Sequence, residues 1–162
     1  MQKSNHVVRV LVVDDHAPFR RFVCSTLQAR TELQVIGQAS DGLEAVQKAE
    51  ELKPDLILLD VGLPTLSGIE AARRIRKLSP ESKILFVSQE PSPDVVREAL
   101  GLGARGYVVE TDAGSELLEA LDSVLRGGQF VGRRFLVMIS SEVWTRKSPK
   151  NSEPMERLYR SS

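Results

Sequence analysis

The chain has 162 residues, a formal net charge of zero, 41% apolar residues and 27% charged residues. This length suits one domain with a sizeable core, and the balanced charge gives no overall attraction to nucleic acid or an anionic membrane. The single cysteine, Cys24, excludes an intrachain disulfide, which is typical of a reducing cytosol. We expect no membrane span and no secretory signal, because no apolar run is long enough and the polar residues 1–6 lead directly into a strand pattern.

The first half of the chain predicts three strands and two helices. Residues 7–13 are β-branched and apolar, as in a buried strand, and a helical pattern begins at Pro18. Residues 34–39 predict a second strand, and Asp41 is placed to cap a second helix. Residues 56–60 are apolar up to a final aspartate and are bounded by turn residues, which indicates a strand buried on both faces.

The second half of the chain continues the same alternation. Its predicted elements are a helix from Gly68 to Ser79, a strand over 84–88, a helix from Ser92, a strand over 106–109 and a helix capped by Asp112. Five strands that alternate with five helices predict right-handed crossovers. The expected fold class is therefore α/β, with a doubly wound, five-stranded parallel sheet between two helical layers.

Acidic side chains follow two of the predicted strands. Asp14 and Asp15 follow the first strand and Asp60 ends the third, so all three are expected at the edge where open α/β sheets bind ligands. Clustered carboxylates repel one another unless a cation or proton binds, and Mg²⁺ prefers oxygen ligands of this kind. A carboxylate beside Mg²⁺ can attack phosphorus and form an aspartyl phosphate. The alternative, in which Asp14 and Asp15 only start a loop and cap a helix, is disfavoured by the matching position of Asp60.

With these residues the sequence resembles the receiver domain of bacterial two-component response regulators, in particular the receivers of LuxR-type regulators. The matching motifs are Val12–His16, Asp60–Pro64, Ser88 and Gly103–Tyr107. The resemblance covers about residues 7–131 and implies a flavodoxin-like, three-layer sandwich. It also implies a cytoplasmic domain that signals in a phosphorelay and is not an enzyme.

The resemblance implies a role for each site residue. Asp60 would accept a phosphoryl group from a sensor histidine kinase or a phosphotransfer protein and lose it by slow self-hydrolysis. The Ser88 hydroxyl would bond a phosphoryl oxygen, and Tyr107 would be the aromatic that changes position during the switch. The implied Mg²⁺ ligands are the side chains of Asp14, Asp15 and Asp60 and the backbone carbonyl of Gly62. The plainer alternatives are that Ser88 bonds only its own backbone and that Tyr107 is an ordinary half-buried aromatic.

The sequence departs from the family at Glu110, where the family has a lysine three residues after the aromatic. We expect the Glu110 side chain to turn toward water, so that the lost attraction to phosphate weakens the switch. Its charge would also favour a cation at the site. Gln89 replaces a smaller residue and would slow access to Asp60. These departures leave open a phosphorylation-independent pseudo-receiver that only binds partners. A flavin-binding protein is disfavoured, because the first turn lacks a phosphate-cradling loop.

Residues 132–162 are interpreted as a partly disordered extension that is too short for a DNA-binding output domain. Its basic residues are scattered among glutamates, so nucleic acid is not an expected partner. The apolar run over residues 135–139 and Trp144 would be covered by the domain itself or by another chain, or would be a remnant of lost sequence. We expect a stand-alone receiver that contacts an unknown downstream protein, and possible homodimers, through its fourth helix, fifth strand and fifth helix.

Overall fold

A parallel sheet forms the centre of the computed structural model, which describes residues 6–136. Its strands within that range are β1 (Val8–Val13), β2 (Leu33–Ala39), β3 (Leu56–Leu59), β4 (Lys83–Ser88), β5 (Gly106–Val109) and β6 (Phe130–Val131). The strand order is β2-β1-β3-β4-β5-β6, and every neighbouring pair is parallel. The predicted fold class is confirmed, and the sheet carries one short strand, β6, beyond the five that were expected.

Helices cover both faces of this sheet. In the described part of the chain they are α1 (Ala17–Gln28), α2 (Gly42–Leu52), α3 (Gly68–Leu78), α4 (Pro93–Gly101) and α5 (Ala113–Leu125). Successive strand residues point to opposite faces, so that Leu56 and Leu58 pack with α1 and α5, while Ile57 and Leu59 pack with α2, α3 and α4. All four β3 residues are almost completely buried, as the sequence predicted for a strand covered on both sides. None of these helices has the length and hydrophobicity that a bilayer span requires.

Short side chains cap several helices as their positions predict. Asp41 accepts a hydrogen bond from the backbone of α2, and Ser67 and Ser92 do the same for α3 and α4. The predicted cap of α5 is wrong, because the Asp112 side chain makes no capping hydrogen bond. Its backbone is already helical, whereas a capping residue needs an extended backbone, and its carboxylate pairs instead with Arg134 at 2.7 Å.

The chain after α5 returns to the sheet. Its strand, β6, pairs with β5, and the Gly132 amide donates to the Tyr107 carbonyl oxygen at 2.9 Å. Residues 133–136 are helical, and Phe135 is completely buried. Phe135, at the start of the predicted apolar run, is therefore covered by its own domain. The domain boundary at residue 131 stays a prediction, and the predicted disorder and Trp144 lie outside the described residues.

Candidate functional site

Three carboxylates meet at the C-terminal edge of the sheet. Asp14 and Asp15 follow β1, Asp60 follows β3, and each offers an oxygen that lies within 4.8 Å of one from each of the others. The register of the two strands explains this, since Val13 is paired with Leu59 and the next residues lie side by side. Asp14 is 3% exposed and Asp60 is 6% exposed, whereas Asp15 is open to solvent. These are the side chains that the sequence analysis expected to meet, and their roles stay predictions.

Backbone contacts hold the two buried aspartates in place. One oxygen of Asp14 accepts from the His16 amide at 2.8 Å, and one oxygen of Asp60 accepts from the Gly62 amide at 3.2 Å. The start of α3 lies against Asp60, because a Cβ on Gly68 would stand 1.9 Å from the Asp60 carbonyl oxygen. Gly68 also donates from its amide to the Val61 carbonyl at 2.7 Å. Only glycine at position 68 therefore allows this close approach of helix and loop.

The acidic cluster forms one wall of a cavity of about 510 Å³. Its lining residues are Asp15, His16, Asp60, Val61, Gly62, Ser88, Gln89, Glu90 and Glu110. The buried Ser88 side chain, at the end of β4, lines this cavity together with Asp60. The same Ser88 oxygen accepts from the Glu90 amide at 3.1 Å. Ser88 thus bonds its local backbone, as the plainer alternative held, and also lines the cavity that holds the carboxylate predicted to be phosphorylated.

Glu110 points into the site, so the expectation that it turns toward water is wrong. Its side chain lines the same cavity as Asp60 and Gln89. The inward orientation of Glu110 follows from the backbone after β5. A single 3₁₀ turn over Glu110–Asp112 leads directly into α5 and keeps Glu110 at the end of the strand. The chain therefore adds a fourth carboxyl group to the edge of the cluster, at the position of the family's lysine.

Burial and mutual repulsion raise the pKa of these acids. Burial raises the pKa of Asp14 to about 6. The hydrogen bond from the His16 amide lowers this pKa, whereas the charges of Asp60 and Asp15 raise it further. Burial also raises the pKa of Asp60, partly offset by the Gly62 amide and the Ser88 hydroxyl. Burial and the charges of Asp14 and Asp60 raise the pKa of Glu110 to about 7. Such a set of oxygen donors suits a hard cation such as Mg²⁺, which would relieve the repulsion.

Tyr107 connects this edge to the interior. Its ring is completely buried rather than half-buried, and it packs on Phe86 and edge-on against Phe135, with ring centroids 6.0 and 5.7 Å apart. Its hydroxyl donates to the Glu90 carbonyl oxygen at 2.8 Å, and burial raises its pKa to about 12. The contact between Tyr107 and Phe135 was not predicted, because nothing in the spacing of the two residues indicates it.

A doubly wound sheet with this strand order, and with aspartates at the ends of its first and third strands, is the architecture of signalling receiver domains. The family model described as the response regulator receiver domain matches residues 10–122. The chain therefore belongs to the receiver domains of two-component response regulators. Domains of this family are generally non-enzymatic signalling domains that bind Mg²⁺ at an acidic pocket and interact with histidine kinases.

Individual relatives agree with this assignment. The chain is 37% identical over 128 residues to "Response regulator GacA" of Pseudomonas viridiflava, covering 77% of this chain and 58% of the relative. A LuxR-family response regulator structure from Aurantimonas sp. SI85-9A1 superposes with a TM-score of 0.80 at 29% identity, covering 84% of this chain and 97% of that one. The receiver domain of the putative regulator NarL from Mycobacterium tuberculosis gives a TM-score of 0.71 at 31% identity, covering 75% and 98%. The chain thus spans under two thirds of the length of the curated relatives that it matches.

Proposed function

We propose that Asp60 accepts a phosphoryl group from a sensor histidine kinase or a phosphotransfer protein. The observation that supports this most is the convergence of Asp14, Asp15 and Asp60 within 4.8 Å beside an open cavity. The side chains of these three aspartates, with the backbone carbonyl of Gly62, would hold Mg²⁺. A bound Mg²⁺ ion would neutralise the carboxylates and the phosphoryl oxygens during transfer.

The chain's own groups account for the transfer. An oxygen of Asp60 attacks phosphorus, the bond from phosphorus to the donor's histidine nitrogen breaks, and that electron pair stays on the nitrogen. The Ser88 hydroxyl, which lines the same cavity as Asp60, donates to a phosphoryl oxygen. The aspartyl phosphate is later lost when water attacks phosphorus, which is slow self-hydrolysis rather than turnover of a substrate.

Glu110 weakens this switch instead of supporting it. A lysine at this position would donate a charge-assisted hydrogen bond to the phosphoryl group, whereas the Glu110 carboxylate repels it. Burial and the charges of Asp14 and Asp60 raise the pKa of Glu110, which favours a protonated site without a phosphoryl group. We therefore expect phosphorylation at Asp60 with a smaller conformational response than a lysine would give.

Signalling would proceed through protein contacts on the surface formed by α4, β5 and α5, to a downstream protein or to a second copy of the chain. LuxR-type response regulators also act on DNA, but we assign no DNA contact to residues 6–136, whose helices and strands are those of the receiver fold. A cytoplasmic location is proposed from the family, because it is the typical location of response regulators.

The test is intact-protein mass spectrometry after incubation with acetyl phosphate and Mg²⁺. Wild type is expected to gain the mass of one phosphoryl group, and the Asp60→Asn variant, which keeps shape but lacks the nucleophile, is expected to gain none. An adduct of equal size in both proteins would place the phosphate elsewhere. No adduct in either, with a purified histidine kinase also failing, would favour the phosphorylation-independent pseudo-receiver.

A further inference from the structure

The segment after α5, residues 130–136, is packed on the same strand that carries Tyr107. We call these residues the β6 segment. Its strand pairs with β5, and the Gly132 amide bonds the Tyr107 carbonyl. Its only completely buried side chain among the described residues is Phe135, whose ring meets the Tyr107 ring edge-on. The neighbouring Leu136 is 54% exposed, so burial in the helical part of this segment is concentrated on one aromatic ring.

A buried carboxylate anchors the β6 segment to α5. Glu116 is 3% exposed, and one of its oxygens accepts from the Arg133 amide at 3.0 Å and the Arg133 guanidinium at 3.1 Å. The other oxygen of Glu116 has no hydrogen-bond partner within the described residues. Desolvating a carboxylate that is only half satisfied is costly, so this anchor holds the segment less firmly than its contacts suggest. The β6 segment is therefore bound by an aromatic contact and an anchor that can be released.

A short series of contacts joins this segment to the phosphoacceptor site. The Tyr107 hydroxyl donates to the Glu90 carbonyl, and the Glu90 amide donates to the Ser88 hydroxyl. Ser88 and Asp60 line the same cavity. The Ser88 hydroxyl can donate to a phosphoryl oxygen and still accept from the Glu90 amide, since a hydroxyl has one hydrogen and two lone pairs. The arrangement with Phe135 docked is thus compatible with an occupied site.

We propose that the β6 segment is a regulatory element whose docking on Tyr107 and phosphoryl occupancy of Asp60 favour each other. Phe135 keeps the Tyr107 ring inside, the Tyr107 hydroxyl fixes the backbone of Glu90, and Glu90 positions Ser88. Without Phe135 the Tyr107 ring gains a void to move into, and its hydroxyl leaves Glu90. Because coupling between two sites is reciprocal, phosphoryl occupancy also strengthens docking of the segment. The second half of this proposal rests on the proposed function of Asp60.

The first experiment needs no phosphoryl ligand. Hydrogen exchange of the Glu90 amide is followed by NMR in the metal-free wild type and in Phe135→Ala, with Leu136→Ala as the matched control from the exposed neighbouring position. Glu116→Ala is a second variant that removes the acceptor of both anchor bonds and leaves every ring in place. Both disrupting variants are expected to speed exchange at Glu90 at least about fivefold, the lower end of typical couplings, and the control is expected to change nothing. Unchanged Glu90 exchange in both disrupting variants overturns the proposal.

The second experiment measures coupling to the site itself. Beryllofluoride with Mg²⁺, a phosphoryl mimic, is titrated into the same proteins, and its affinity is expected to fall about fivefold or more in Phe135→Ala but not in Leu136→Ala. In wild type the mimic should slow exchange of the Gly132 amide, which lies in the β6 segment. Equal affinities in all variants overturn the coupling. If the mimic fails to bind wild type, the proposed function of Asp60 fails, and exchange at Glu90 still decides whether the segment controls the loop.

Discussion

Glu110 and Asp14 are neighbouring carboxyl groups, and burial together with the charge of Asp14 raises the pKa of Glu110 to about 7. The pair stands beside Asp60, where receivers of this family have a lysine. In the metal-free protein, a proton therefore offsets the repulsion that the lysine's ammonium group would otherwise relieve. A cation that enters the site has to displace this proton. A phosphoryl group that enters the site has to overcome repulsion from the Glu110 charge.

Restoring the family's lysine should strengthen the response to phosphoryl mimics. A charge-assisted hydrogen bond contributes about 1.5–3 kcal/mol, so Glu110→Lys is expected to bind beryllofluoride with Mg²⁺ roughly ten- to a hundredfold more tightly than wild type. The measurement is a fluorescence or NMR titration. Glu110→Gln, which removes the charge without adding a donor cation, is expected to lie between the two. An equally tight and equally complete change in wild type and Glu110→Lys would show that Glu110 does not weaken the switch.

Stability of the metal-free protein should fall as the pH rises through the acid cluster. The folded-state pKa values of Glu110, about 7, and Asp14, about 6, lie above the values near 4 that these groups have when unfolded. The folded state therefore binds more protons between about pH 4 and 7, and the free energy of unfolding decreases with rising pH in that window. Urea midpoints with a chelator should be lower at pH 8 than at pH 5.5. The Glu110→Gln variant should show a flatter pH dependence, and identical slopes would contradict the assignment.

Two helix-starting glycines should respond oppositely to alanine. Gly68→Ala puts a methyl group 1.9 Å from the Asp60 carbonyl oxygen and is expected to cost about 3 kcal/mol or more, with loss of Mg²⁺ affinity because Asp60 is displaced. Gly114, in the first turn of α5, has nothing within 4 Å of such a methyl group, so Gly114→Ala should stabilise by about 0.5–1 kcal/mol. Urea unfolding and Mg²⁺ titration of both variants check this. Similar stabilities would mean that the loop at Asp60 adapts.

Local patterns in the sequence were sufficient for the fold and for the meeting of the three aspartates. Apolar runs marked each long strand, and parallel strands place their C-terminal residues at one edge, so Asp14, Asp15 and Asp60 were found without any coordinates. The orientation of Glu110 was not found. It depends on the 3₁₀ turn that joins β5 directly to α5, and the sequence showed only a polar stretch there. The prediction that Asp112 caps α5 was wrong for the same reason, because the backbone of Asp112 within that turn is already helical.

The β6 segment could not be predicted from the sequence, because it is held by tertiary contacts between residues that are distant along the chain. The strand β6 has only two residues, which is too short to show the alternation of polar and apolar side chains that predicts a strand. Phe135 lies in an apolar run for which the sequence left three interpretations open. Glu116 was passed over as one more polar residue of α5, although it is among the most buried acids in the described part of the chain. Only its pairing with Arg133 explains that burial, and the two residues are 17 positions apart.

The pairing of β6 with β5 also affects where the domain can be shortened. Without residues 130–131, the outer edge of β5 would expose backbone amides and carbonyls along a very apolar strand, a surface that readily recruits strands from other molecules. A truncated receiver that ends with α5 would retain every phosphorylation residue and yet tend to aggregate. Expression trials that preserve the chain through residue 136 should therefore yield the more soluble, monodisperse material.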